Sequence, residues 1–194
     1  DLLDKQQDSN SSQFLQLVTM QNHMPYGDYY DNNEFSDADI SEDLSDGERR
    51  NINTYTKGIN WTDQETADFL NQLDQIDKPI TVIFYGDHLP GIYDTADMDK
   101  NNKTVLHETD YFIWSNSVSP SHDTKVNPVT TAYTSSNYFM PLAAEHMNAK
   151  VSPYLAMLTE LQQEIPAMSR VIGANGGIGQ GKATYLDHAG NNIK

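Results

Sequence analysis

The longest periodic pattern of largely apolar positions lies between residues 52 and 76. Its members recur at alternating intervals of three and four, the period of one face of an amphipathic helix: Ile52, Tyr55, Ile59, Thr62, Thr66, Phe69, Leu73 and Ile76. The pattern predicts a long helix. Gly58 lies within it. The alternative is that the sequence TDQE at Thr62 is a capping box, which would divide the helix into two.

Continuous apolar runs predict strands rather than helices. Ile80–Tyr85 and Tyr111–Trp114 are apolar on successive residues, as expected for strands covered on both faces. Phe14–Met20 predicts a further strand, which ends in a loop enforced by Pro25 and Gly27.

The C-terminal third predicts two more helices and then a glycine-rich, hairpin-like tail. One helix is expected from Ser136 to about Met147. The next has Ser152 as its N-cap and Pro153 at its first position. It should turn three leucines inward: Leu155, Leu158 and Leu161. Strands that alternate with helices predict an α/β fold with a mostly parallel sheet.

Charge and composition exclude several classes of protein. The 194 residues carry a net charge of −16, from 28 acidic and 12 basic side chains. Nucleic acid is therefore not expected as a partner, since phosphate contacts need clustered Lys and Arg. Cysteine is absent, which excludes thiol chemistry. No apolar run reaches about 18 residues, the length that crosses a membrane. The chain begins at Asp1 without a signal-like segment, so we expect a piece of a longer protein.

Residues 28–48 form an acidic segment, with nine acids and no bases. We interpret it as a solvated loop. Part of it, DADISEDLSDGE, has ligand spacing like that of a calcium loop, but Glu42 stands where such a loop needs glycine.

The stretch PITVIFYGDHLPGIYD places Asp87 and His88 directly after an apolar strand. Ligands of open α/β sheets bind beyond the carboxyl ends of the strands, which is where this pair is predicted to lie. A carboxylate oxygen and an imidazole nitrogen suit Zn²⁺ or Mn²⁺. Both side chains can reach one ion only where the strand has ended, and Gly86 and Pro90 bracket such an end. The alternative is that Asp87 caps the next element and His88 is a surface residue.

His23 follows the other predicted strand, in QNHMPY. If the two strands are neighbours, His23 faces the same crevice, where it could hold an anionic substrate or move a proton. The alternative is a loop histidine bonded to the backbone. His107 precedes a strand and is expected at the wrong end of the sheet, unless its loop folds back. The remaining histidines are expected on the surface: His122, His146 and His188.

Four segments together resemble the sulfatase-like phosphoglycerol transferases, the family of lipoteichoic acid synthase. They are VTMQNHMPY, NTYTKGINWTDQETADFL, VIFYGDHLPGIY and HETDYFIWSN, which occur in the family's order between about Phe14 and Pro166. The resemblance implies an alkaline-phosphatase-like α/β/α sandwich. It also implies that residues 1–194 are the C-terminal part of one such catalytic domain, with 28–48 as an acidic loop and 167–194 as a glycine-rich tail and hairpin.

The resemblance further implies a site and an activity. Asp87 and His88 match two ligands of a divalent cation, commonly Mn²⁺ with Mg²⁺ or Zn²⁺ as alternatives, and His23 matches a catalytic and substrate-binding histidine. The family's threonine nucleophile belongs to an N-terminal half that this chain lacks. The implied reaction transfers glycerophosphate from a phosphatidylglycerol-type lipid to a polyglycerophosphate or glycan acceptor. The implied location is the extracellular face of a bacterial membrane, where transmembrane helices outside this chain tether the parent protein.

Two other functions stay open at this point. The parent could be a sulfatase or phosphodiesterase of the same superfamily, which would differ in its nucleophile. The chain could also be a non-catalytic module of the cell surface.

Overall fold

The computed structural model describes residues 11–36, 44–92, 107–125, 132–170 and 183–189. The chain divides into two compact units. The first contains Asp1–Lys78 and Pro90–Met98, and the second contains Pro79–Leu89 and Asp99–Lys194. The assignment of the whole chain to one domain stays a prediction, and the calcium-loop residues 37–43 lie outside the described residues.

The first unit is built on one long helix, α1, from Asp46 to Asp74. A capping box starts it: the Ser45 hydroxyl accepts from the Glu48 N–H at 3.2 Å, and the Glu48 carboxylate accepts from the Ser45 N–H at 2.9 Å. The prediction of one long helix is confirmed, and the alternative of two helices divided at Thr62 is wrong, because the helix runs through this position without a break. The acidic loop therefore ends earlier than expected, since Asp46 and Glu48 lie in the first turn, where negative charge is favourable.

The predicted apolar face of α1 is the less exposed side in the second half of the helix, where Leu73 is buried and Phe69 is half-buried, but it is not the buried side in the first half. Thr54, Gly58 and Leu73 are buried, whereas Ile59 is 42% exposed. The first half of the helix contacts a loop through hydrogen bonds, close approach at Gly58 and the packing of the Tyr55 ring on Tyr26. The Thr54 hydroxyl, for example, donates to the Gly27 carbonyl at 2.9 Å.

The segment Phe14–Met20 is not a strand, so this prediction is wrong for the described structure. It has no regular secondary structure and exposes its apolar side chains, with Phe14 75% and Val18 73% exposed. A strand is stable only when its N–H and C=O groups pair with a neighbour. Neither of the two sheets in the described part of the chain pairs with this segment.

The second unit contains the two central strands that the sequence predicts. Strand β1, Thr81–Tyr85, and strand β2, Tyr111–Ser115, pair antiparallel, with Tyr85 opposite Tyr111. The expectation of a mostly parallel sheet is therefore wrong for the described strands. The expectation that both strands are covered on both faces is also wrong for the end of β1, where Phe84 is 36% and Tyr85 42% exposed. Apolar residues on successive positions do not indicate the direction of a strand. Here the direction is supported by cross-strand pairs such as the stacked rings of Phe84 and Phe112.

Two helices cover one face of this sheet. A 3-10 turn, Ser136–Tyr138, leads into α2, Phe139–His146, and α3 follows at Pro153–Glu164. The Ser152 hydroxyl caps α3 by accepting from the Leu155 N–H at 3.3 Å, as predicted. The core joins Tyr138, Leu142 and Leu158, with Tyr111, Ile113 and Leu155 packed against it. Leu161 is 36% exposed, so its predicted inward position is wrong.

The tail begins with strand β3, Ala167–Arg170, which pairs antiparallel with β4, Ala183–Leu186. The residues between them, 171–182, lie outside the described ranges. None of the helices in the described parts of the chain is both long and apolar enough to cross a membrane.

A buried polar cluster lies at the end of β2 that is farther from Asp87. The Ser115 hydroxyl bonds Thr81 at 2.8 Å, Ser121 at 3.1 Å and the Nε2 atom of His146 at 2.9 Å. His146 is only 5% exposed, so its predicted surface position is wrong. Its helix, α2, packs against the sheet, and burial lowers the pKa of His146 because it disfavours the charged ring.

We expect the stability of the chain to fall below about pH 6.5, the ordinary histidine pKa, through His146. In this range the unfolded chain binds a proton that the folded chain excludes. The unfolding free energy should therefore decrease by up to about 1.4 kcal/mol per pH unit for this one group. Urea unfolding at pH 7 and pH 5.5 measures it, and His146→Asn, which cannot titrate, is the control. Equal pH dependence of the two proteins would contradict the prediction.

Candidate metal and substrate site

Asp87 and His88 leave the end of β1 with their side chains turned toward each other. The Nε2 atom of His88 lies 3.7 Å from the Oδ2 atom of Asp87, and the two side chains are 68% and 78% exposed. The other Asp87 oxygen accepts from the His88 N–H at 2.9 Å, and the Nδ1 atom of His88 bonds the Leu89 carbonyl at 2.9 Å. Since Nδ1 donates in that bond, the neutral ring carries its lone pair on Nε2, the atom that faces the carboxylate.

This geometry fits a divalent cation. Two ligand atoms on a tetrahedral ion, with bonds of about 2.1 Å, stand about 3.4 Å apart, close to the observed separation. An imidazole whose other nitrogen bonds a backbone carbonyl is also the usual arrangement of a histidine ligand. Within the described residues, no group of three or more His, Cys, Asp or Glu side chains could hold an ion. If Asp87 and His88 hold an ion, they would therefore supply only part of its coordination sphere.

The residues just before β2 lie beside this pair, which the sequence did not predict. Antiparallel pairing places the start of β2 next to the end of β1. The Gly86 N–H donates to the Asp110 carbonyl at 3.2 Å, and the Thr109 hydroxyl donates to the Gly86 carbonyl at 2.6 Å. The expectation that His107 precedes a strand at the wrong end is therefore wrong, because this end of β2 is the Asp87 end. The described His107 side chain is exposed.

His23 belongs to the first unit, in a loop that hydrogen bonds fasten to α1. Asn22, its neighbour, donates from Nδ2 to the Thr62 hydroxyl at 2.8 Å. The Tyr26 hydroxyl donates to the Asn22 carbonyl at 2.9 Å. The Tyr26 and Tyr55 rings pack edge-on, with their centroids 5.7 Å apart. The helix therefore fixes the backbone on which His23 stands.

The His23 ring is exposed, and its Nδ1 atom bonds the Met24 carbonyl. This is the backbone contact of a loop histidine, and in the neutral ring it leaves the lone pair on Nε2. A shared crevice of His23 with Asp87 and His88 stays a prediction, because His23 lies in a different unit from the other two residues.

The second Asp-His pair of the chain has different contacts. The Asp187 carboxylate accepts from the Ala189 N–H at 2.9 Å within a turn. The Nε2 atom of His188 bonds the carbonyl of Gln163, on α3, at 3.0 Å. His122 bonds the Ser115 carbonyl through Nδ1 at 3.2 Å. The Nε2 atom of His122 also lies 3.5 Å from the Oδ2 atom of Asp123. This pair has distances similar to those of Asp87 and His88, but it lies in a turn beyond β2, near Ser115, and not at the end of β1.

Comparison with known proteins gives the family. The family model described as Sulfatase matches residues 1–149. The chain therefore belongs to the sulfatase family, and its fold is the α/β fold of alkaline-phosphatase-like proteins, as predicted.

Two related proteins carry more specific descriptions. The structure of Streptococcus pyogenes phosphoglycerol transferase GacH in complex with sn-glycerol-1-phosphate matches 66% of this chain, with 39% sequence identity and a TM-score of 0.57. A Rhizobium meliloti (strain 1021) protein named for cyclic beta-1,2-glucan modification is 24% identical over 147 residues, or 69% of this chain. The chain spans 31% of GacH and 22% of the rhizobial protein.

Proposed function

We propose that this chain is the C-terminal part of the catalytic domain of a phosphoglycerol transferase. The parent enzyme moves glycerophosphate from a phosphatidylglycerol-type lipid to an acceptor hydroxyl of a cell-envelope polymer. The observation that carries the proposal is the convergence of the Asp87 carboxylate and the His88 Nε2 atom at 3.7 Å, at the end of β1. The 39% identity to GacH favours a transferase over a sulfatase or phosphodiesterase.

In this proposal Asp87 and His88 hold one divalent cation, Mn²⁺ with Mg²⁺ or Zn²⁺ as alternatives. A divalent cation at such a site supplies charge neutralisation and lowers the pKa of the nucleophile. The remaining ligands and the threonine nucleophile come from a part of the protein outside this chain. The exposure of both side chains supports this division, because ligands that await further partners need an open face.

His23 has the second role in the proposal. Its Nε2 atom binds the phosphate of the substrate or passes a proton to the leaving oxygen, while Nδ1 is held by the Met24 carbonyl. The contacts of Asn22 and Tyr26 with α1 support this role, because a group that transfers a proton must be held in place.

The acceptor is either a polyglycerophosphate chain, as in lipoteichoic acid synthesis, or a glycan. The rhizobial relative, named for modification of a glucan, favours a glycan. We place the reaction at the extracellular face of a bacterial membrane, where transmembrane helices outside this chain tether the enzyme. The net charge of −16 supports the absence of nucleic acid among the partners.

The test uses phosphatidylglycerol labelled in its headgroup, with Mn²⁺ and a glycan acceptor. We expect the longer parent protein to release diacylglycerol and to transfer the labelled glycerophosphate to the acceptor. The 194-residue chain alone should release none, because it holds two metal ligands and no nucleophile. Label released into water as free glycerophosphate would favour a hydrolase, and no release by the parent would favour a non-catalytic module.

A further inference from the structure

The end of β1 is held by contacts that extend beyond the last strand pair. The ladder between β1 and β2 ends at Tyr85 opposite Tyr111. One step further, the Gly86 N–H donates to the Asp110 carbonyl at 3.2 Å. A second step uses a side chain, since the Thr109 hydroxyl donates to the Gly86 carbonyl at 2.6 Å. Thr109 therefore makes the last of these cross-strand contacts before Asp87.

The carbonyl that Thr109 binds is part of the peptide unit that joins Gly86 to Asp87. A peptide unit is planar, so a fixed carbonyl direction also fixes the direction of the Asp87 N–H and the position of the Asp87 Cα atom. From there the chain turns locally, because the Asp87 carboxylate accepts from the His88 N–H. The orientation of both side chains thus depends on the peptide that the Thr109 hydroxyl holds.

Packing around Gly86 indicates the same close fit. A Cβ atom at position 86 would lie 3.0 Å from the Thr109 Cβ atom and 3.3 Å from its Cγ2 atom. The Gly86 backbone is not in the left-handed region. Glycine is therefore needed here for the approach of Thr109, and not for an unusual backbone conformation.

We propose that Thr109 is a positioning residue, which acts on the metal site through the Gly86–Asp87 peptide without contacting the ion. This inference rests on the proposed function, in which Asp87 and His88 are metal ligands. The two side chains are 78% and 68% exposed, so packing does little to hold them. Hydrogen bonds to the backbone must supply most of the order. Asp87 and His88 make such bonds within their own loop, and Thr109 makes one from the neighbouring strand end to the peptide that precedes them.

The test compares Thr109→Val, which keeps the shape and removes the hydroxyl, with Thr109→Ser, which keeps the hydroxyl. Thr159→Val in the same unit is the matched control, because it removes a similar bond, from Thr159 to the Leu155 carbonyl of α3, at 3.0 Å. Each variant is made in the 194-residue chain. Thermal unfolding checks that each variant is folded.

The first readout needs no metal. NMR order parameters of the Asp87 and His88 amides should fall in Thr109→Val toward the flexible range, below about 0.6. They should stay at the wild-type value in Thr109→Ser and Thr159→Val. If the order parameters of the Asp87 and His88 amides in Thr109→Val equal those of the wild type, the proposal is overturned, whether or not the chain binds metal.

The second readout is Mn²⁺ binding, followed by the paramagnetic broadening of amide signals next to His88. We expect Thr109→Val to need roughly 10- to 100-fold more Mn²⁺ for the same broadening, the usual loss when a group that orients a ligand is removed. Thr109→Ser should bind like wild type. Equal Mn²⁺ dependence of the valine and serine variants would overturn the effect on the metal site. Absence of local broadening in wild type would instead reject the metal assignment in the proposed function, while the order parameters would still decide the role of Thr109.

Discussion

His88→Ala should reduce diacylglycerol release by the longer parent protein by at least about 100-fold, which corresponds to about 3 kcal/mol of transition-state stabilisation. Loss of the imidazole leaves the Asp87 carboxylate without its partner at 3.7 Å, and in the proposed function it removes one of the two metal ligands that this chain supplies. In that proposal the divalent cation would be lost or displaced without this ligand, and several kcal/mol of charge stabilisation would be lost with it.

The matched control is His188→Ala, which changes the other Asp-His pair of the chain. The His188 ring bonds the Gln163 carbonyl, so its loss should cost about 1 kcal/mol of stability or less and leave the specific activity unchanged. The assay is diacylglycerol formation by membranes that carry each variant, normalised to the amount of folded protein. Equal activities of the two variants would refute the assignment of His88 to the metal.

Local sequence signals predicted most of the described helices and the two central strands. The spacing of apolar residues at intervals of three and four predicted α1, and Ser152 with Pro153 predicted the start of α3. These features depend on neighbours along the chain, so a single sequence is enough to identify them. The Asp87–His88 pair was found in the same way, because an apolar strand followed by a glycine marks its position.

Features that depend on distant contacts were not predicted. The direction of β2, and with it the position of Thr109 beside Gly86, follows from pairing across more than twenty residues. The burial of His146 likewise depends on Ser115, which lies on another element. Since a histidine at the end of a short helix looks the same in sequence whether it is exposed or buried, the composition offered no signal.

The strand prediction at Phe14–Met20 failed for a related reason. Its apolar residues fit a strand, but a strand also needs a neighbour, and the neighbour is not visible in the segment itself. The two described sheets leave this segment unpaired. Apolar content therefore identified a segment able to form a strand, without showing what it would pair with.

Gly58→Ala should destabilise the chain, although alanine is normally the better helix former by about 1 kcal/mol. A Cβ atom at position 58 would lie 2.4 Å from the Asn22 Oδ1 atom and 3.4 Å from the Tyr30 hydroxyl. Asn22 cannot yield at low cost, because its Oδ1 atom is buried and its Nδ2 atom donates to the Thr62 hydroxyl at 2.8 Å. We expect a net loss of about 1–3 kcal/mol, the usual cost of added atoms in a packed interface.

Gly47→Ala on the same helix is the matched control for this prediction. Its Cβ atom would have only ordinary contacts, 3.8 Å from the Ser45 Oγ atom and 3.9 Å from an Arg50 nitrogen, so it should be neutral or stabilising. Urea unfolding of both variants measures the difference. Asn22→Ala in the Gly58→Ala background should recover part of the loss, because it removes the atom that the new methyl group meets, and the double-mutant cycle measures this coupling.

Gly58→Ala also tests whether α1 holds the loop that carries His23. Asn22 precedes His23, and a displaced Asn22 amide must move the backbone on which the histidine stands. NMR signals of the His23 ring should therefore shift or broaden in Gly58→Ala and stay unchanged in Gly47→Ala. If Gly58→Ala is as stable as Gly47→Ala and the His23 signals are unchanged, the helix does not fix this loop, and the positioned His23 of the proposed function loses its structural support.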